Sequence, residues 1–146
     1  MQTVRLSENF YILTYCGSLP FIFLTYLGFS KVIHLFTIDI NLILISYGAI
    51  ILSFISGIHF SYAILQDKIS NRILILSNIV ALISWSCLLV NFKLALVVII
   101  IGYISNLIID YISYKNLVIE KWFFNLRLRV SLIVISCLIL NFWHIS

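Results

Sequence analysis

Four side chains could carry chemistry in an otherwise apolar chain: His59, Asp110, Arg127 and Arg129. His59 lies on a stripe with Ser56 and Tyr62, at intervals of three residues. Asp110 closes a second stripe, Tyr103-Asn106-Asp110, at intervals of three and four. Both spacings put the polar groups on one face of a helix. An imidazole, a carboxylate and a guanidinium at one depth could form a proton or ion relay, or a pocket for an anionic ligand. The same three groups could instead form a buried ion pair that holds helices in register. Arg127 and Arg129 are two apart and point to different faces, so one can pair with Asp110 while the other snorkels to lipid phosphates.

The elements that position these residues follow from composition. The chain has 146 residues, of which 63% are hydrophobic and 10% charged, with a mean hydropathy of +1.17. Soluble domains carry about 25% charged residues, so an all-α, polytopic membrane bundle is expected, with no room between spans for a separate soluble domain. A span needs about 20 apolar residues to cross a core roughly 30 Å thick. The first span runs from Phe10 to Phe29, with Pro20 expected to kink it, and is read as retained after synthesis. The second runs from Leu42 to Leu65. The apolar stretch from Ile73 to Ile112 is twice too long for one crossing. Asn91-Phe92-Lys93 must therefore turn a hairpin between a third span, 73–90, and a fourth, 94–112. A fifth covers 122–143, with Trp122 and Trp143 at its two interfaces.

Within the second span, Ala49, Ser53, Gly57 and Ser61 recur every four residues. Such a stripe is expected to let a neighbouring helix approach closely, which makes this span the centre of the bundle. Asn78 and Trp85 in the third span are expected to act as interhelical glue. Lys and Arg fall unevenly on the two sides of a five-span chain. Arg5, Lys68, Arg72, Lys115, Lys121, Arg127 and Arg129 lie on one side, and Lys31 and Lys93 on the other. The positive-inside rule then places the N-terminus in the cytoplasm and the C-terminus outside.

No Walker loop, GxSxG, HExxH or carboxylate pair at catalytic spacing is present, so no enzyme activity and no cofactor are expected. Cys16, Cys87 and Cys137 sit in apolar runs without metal-ligand spacing and read as free thiols. His34 and His144 are too weak a pair to indicate a metal. No basic cluster suggests nucleic acid. The expected partners are the lipid bilayer and other membrane proteins, or a second copy of the chain. A small proton-coupled transporter is the alternative.

The second span, Tyr47-Gly48-Ala49-Ile50-Ile51-Leu52-Ser53-Phe54-Ile55-Ser56-Gly57-Ile58-His59-Phe60, resembles the signature of the family called domain of unknown function 3429. Gly17 with Pro20-Phe21, Asp110, and Trp122 followed by Leu126-Arg127 extend the likeness over nearly the whole chain. The sequence departs from the pattern at Phe60, where the family commonly has Trp, and at Leu128-Arg129-Val130-Ser131. The resemblance implies a small multi-pass protein of the bacterial inner membrane or, in a eukaryote, of the mitochondrial inner membrane. It implies no activity.

Overall fold

A computed structural model describes residues 3–30, 34–35, 38–65 and 71–144. Lys31 and Lys68 of the charge count lie outside the described residues, as do the side chains of Arg5 and His34. Among the described residues six α-helices are formed: α1 (Thr3–Cys16), α2 (Leu19–Phe29), α3 (Ile40–Leu65), α4 (Asn71–Ser86), α5 (Phe92–Lys115) and α6 (Lys121–His144). Two short antiparallel strands, β1 (His34–Leu35) and β2 (Ile38–Asp39), occupy the connection before α3. Among the described residues five helical stretches are long and apolar enough to cross a membrane, and the first of them, Phe10–Phe29, joins α1 to α2. The fold is an all-α bundle.

Local sequence explains the breaks. Pro20 has no amide hydrogen and sits in the first turn of α2, where none is needed. The result is a full interruption at Gly17-Ser18, sharper than the expected kink. The Tyr47 hydroxyl, reaching across from α3, donates to the Gly17 carbonyl at 2.9 Å, so the break keeps a partner for an acceptor that hydrocarbon would leave unpaired. At the hairpin, Asn91 caps α5 by accepting from the Leu94 amide at 3.0 Å. A single turn of 3₁₀ helix, Cys87–Leu89, follows α4 and leads into the hairpin.

α3 packs against α2, α4 and α5, and α6 packs against α5, α2 and α1. The core between them is built from Phe21, Leu44, Leu52, Leu96, Ile99 and Leu138, all almost fully buried. The closest glycine contact lies between α3 and α5. A methyl group added at Gly102 would collide with the Leu52 side chain, and one at Gly48 would press on Ile99 at 3.3 Å. α4 turns its small residues Ser77 and Ser84 inward and packs extensively against α3.

Two expectations about packing are corrected. The stripe Ala49-Ser53-Gly57-Ser61 does not form one seam. Ala49 is buried and Ser53 half-buried, but Gly57 and Ser61 face outward, and nothing lies within 4 Å of a methyl group built on Gly57. The reason is geometric: at about 100° per residue, a strict four-residue repeat advances about 40° per step and about 120° over the stripe. Asn78 and Trp85 also face outward. The Asn78 amide donates to the Leu74 carbonyl of its own helix at 3.0 Å, and Trp85 is 61% exposed. Neither glues α4 to a neighbour.

At the end of the bundle that carries Lys115 and Lys121, the rings of Phe10 and Tyr11 of α1 meet Trp122 and Phe123 of α6 edge-on or tilted. This aromatic cluster anchors the foot of α1, and the Trp122 indole donates to Glu120.

Candidate functional site

Three helices contribute to one buried polar layer. His59 lies six residues before the C-terminal end of α3, Asp110 five before the end of α5, and Arg127 six after the start of α6. Because α3 and α5 descend toward the end of the bundle from which α6 rises, all three come to one level. His59 Nε2 lies 2.8 Å from Asp110 Oδ1. Arg127 Nε donates to Asp110 Oδ2 at 3.3 Å. His59 and Asp110 are almost wholly buried, and Arg127 is 8% exposed. Each carboxylate oxygen of Asp110 therefore has its own donor. With its hydrogen on Nε2, the neutral imidazole donates to Asp110 and keeps Nδ1 as a lone pair. That choice suits Nδ1, which has no hydrogen-bond partner, because a buried N–H without an acceptor would cost more than an unused lone pair.

The stripes continue the layer upward along α3 and α5. Ser56 donates to Asn106 Oδ1 at a long 3.5 Å, while Asn106 Nδ2 has no partner. Tyr103, one further turn along, is 1% exposed, and its hydroxyl is also unpartnered. Its ring meets Phe21 edge-on at 6.3 Å. Tyr62 is half-buried beside the layer, its ring 6.4 Å from that of Phe123. Arg129, two residues from Arg127, is exposed and takes no part.

A second polar clasp has little sequence signal. Asn141 near the end of α6 donates to Thr25 Oγ1 of α2 at 2.8 Å and to the Cys137 carbonyl of its own helix at 2.8 Å. The two residues are 116 positions apart, and only the isolated Asn in an apolar run hints at the contact. His144 is exposed, with its ring 4.6 Å from that of Phe29. Among the described residues no three His, Cys, Asp or Glu side chains come together as metal ligands would.

A cavity of about 440 Å³ opens beside the layer, between α1, α3 and α6. Its rim includes Leu13, Ile50 and Phe54, each more than 60% exposed. Its inner wall includes Tyr103, Arg127 and Ser131. The mouth lies in the apolar middle of α3, away from both connections of that helix.

A family model described as "Protein of unknown function (DUF3429)" matches residues 6–143. No curated protein and no solved structure matches the chain.

Proposed function

The chain belongs to the DUF3429 family of proteins of unknown function, and from that premise we propose that it is a non-enzymatic helix bundle of the inner membrane that associates with other membrane proteins. In this reading the His59–Asp110–Arg127 layer is its scaffold. The observation that carries the reading is that both oxygens of Asp110 are engaged by neighbours within the bundle. A buried carboxylate whose two oxygens each meet a cationic or N–H donor from a different helix is matched as a structural ion pair requires. The layer then joins α3, α5 and α6, the three helices around which the rest pack.

Association has support from the outward half of the α3 stripe. Gly57 and Ser61 leave a shallow surface without side-chain bulk, and the Ser61 hydroxyl is turned back onto the Gly57 carbonyl at 3.0 Å. In hydrocarbon, such a surface suits close approach by another helix. The basic residues of the second and fourth connections orient the N-terminus toward the cytoplasm and the C-terminus outward. The membrane is the cytoplasmic membrane of a bacterium, or the mitochondrial inner membrane in a eukaryote.

Cross-linking in native membranes, followed by purification through a C-terminal tag, should recover a membrane-protein partner in fixed stoichiometry. Gly57→Leu should abolish that recovery. A strictly monomeric, solitary protein would overturn the association. A C-terminal reporter active only in the cytoplasm would overturn the orientation.

A second reading, a proton-coupled transporter, draws on the buried and unpartnered His59 Nδ1, Asn106 Nδ2 and Tyr103 hydroxyl. It requires proton-dependent flux in liposomes that disappears in Asp110→Asn. An absence of flux in the wild type rejects it.

A further inference from the structure

The first span is divided, and its two halves are held to the bundle in different ways. We propose that α1 is a lateral gate: an arm hinged at Gly17-Ser18 that swings across the groove between α1, α3 and α6 and opens or closes that side of the bundle. The hinge is built into the backbone. The helical ladder of α1 ends with the Gly17 amide donating to the Leu13 carbonyl at 3.1 Å, and that of α2 restarts with the Ile22 amide on the Ser18 carbonyl at 3.4 Å. Between them the Ser18 amide folds back on the Tyr15 carbonyl at 2.9 Å, and Pro20 has no amide hydrogen to give. The pivot itself stays in place, because the Tyr47 hydroxyl ties the Gly17 carbonyl to α3 at 2.9 Å.

On one side of the pivot, α2 buries Phe21, Leu24 and Thr25, and Asn141 clasps Thr25 at 2.8 Å. On the other side, none of the α1 side chains from Phe10 to Cys16 is buried. The Thr14 hydroxyl donates to the Phe10 carbonyl of its own helix, and α1 is the most lightly packed of the six helices. Beyond the pivot, α1 is held by its foot, where Phe10 and Tyr11 meet Trp122 and Phe123 with ring centres 5.6 to 6.1 Å apart. Between pivot and foot, Leu13 of α1 and Ile50 and Phe54 of α3 line the groove and are exposed. Lipid chains are as apolar as these side chains, so shutting the groove brings no hydrophobic gain and opening it no loss. The two positions of α1 are close in free energy for that reason, and the aromatic foot sets the balance between them. Sparse packing around one helix, beside five that are tied together, marks the part of a fold that opens first.

The test is double electron–electron resonance on the full-length protein in phosphatidylcholine nanodiscs. Cys16→Ser removes the exposed thiol, while Cys87 and Cys137 are buried and stay. One spin-label pair, Ser7→Cys on α1 with Ser61→Cys on α3, follows the arm. A second, Leu82→Cys on α4 with Leu132→Cys on α6, both exposed positions, follows the rest of the bundle. Residue 7 lies about 15 Å along the helix from the pivot, so a tilt of about 20–30° carries its label through about 5–8 Å. The arm pair should therefore show two distances, or one spread over that width, and the second pair one narrow distance. Phe10→Ala weakens the foot and should change the ratio of the two populations by about two- to tenfold, the worth of one aromatic contact. Pro20→Ala returns a backbone donor at the break and should narrow the arm distribution. A single narrow distance for the arm pair, unmoved by Phe10→Ala, would overturn the gate. Equal spread in both pairs would mean that the whole bundle is loose, and would overturn it as well. Should Pro20→Ala fail to fold, Phe10→Ala decides alone.

Discussion

Neutralising Asp110 tests whether the polar layer is scaffold. In Asp110→Asn the side chain keeps its shape, but the charge that matches Arg127 is gone, and an amide nitrogen replaces one of the two oxygens that accept from His59 Nε2 and Arg127 Nε. One donor of the layer then faces another donor. Breaking a buried pair by removing one partner costs about 3–5 kcal/mol, because the remaining charge stays desolvated and uncompensated. Arg127 is 8% exposed and touches the cavity, so its charge is less confined than that of Asp110, and the lower half of that range applies to Asp110→Asn. Arg127→Gln leaves a carboxylate buried at 1% exposure with His59 as its remaining partner and belongs in the upper half.

The double variant removes both charges and should cost less than the sum of the two singles, with a coupling of about 1–3 kcal/mol. For a chain of this size each kcal/mol moves the midpoint by about 2–4 °C. The singles should therefore fall by about 6–20 °C, and the double should recover part of that loss. The assay is thermal unfolding in one detergent, followed by helical circular dichroism and by the exposure of Cys87 and Cys137, both buried in the folded bundle. Additive effects, or a midpoint that is unchanged or raised in Asp110→Asn, would refute the scaffold role. They would mark the layer as a strained site kept for activity at the expense of stability.

Two further predictions separate packing from surface. Gly102→Ala should cost about 1–3 kcal/mol through overpacking against Leu52, whereas Gly57→Ala should stay within about 0.5 kcal/mol; comparable losses in denaturant titration would mean that α3 is rotated relative to this structure. Thr25→Val should lower stability by about 1 kcal/mol by removing the acceptor for Asn141, which keeps its bond to the Cys137 carbonyl. Asn141→Leu should do little worse, since both ends of the α2–α6 contact are then apolar or self-satisfied, and a far larger loss in either variant would contradict the observed clasp.

Level along the bundle axis was legible in the sequence, and azimuth around each helix was not. Helices of one bundle rise at the same rate per residue, so the shared level of His59, Asp110 and Arg127 follows from counting along helices that are each long enough to cross a membrane. The Asn91 hairpin follows in the same way, because a single helix over 73–112 would be twice too long. Which side of a helix meets a neighbour is different information. In a soluble helix the apolar stripe marks the inner face, but lipid tails are as apolar as a leucine core, so an apolar residue carries no label for inside or outside. Small and polar residues are the remaining clues, and they are ambiguous. Gly57 looks like a packing glycine and faces outward, while Gly102, unremarked in its apolar run, takes the close contact with Leu52. Asn78 satisfies itself on its own helix, while Asn141 reaches across to Thr25. The choice between Arg127 and Arg129 as the partner of Asp110, the interruption capped by Tyr47, and the cavity left where α1 stands off from α3 were decided by the tertiary arrangement. Each depends on the rotation of one helix against another, which local sequence does not set.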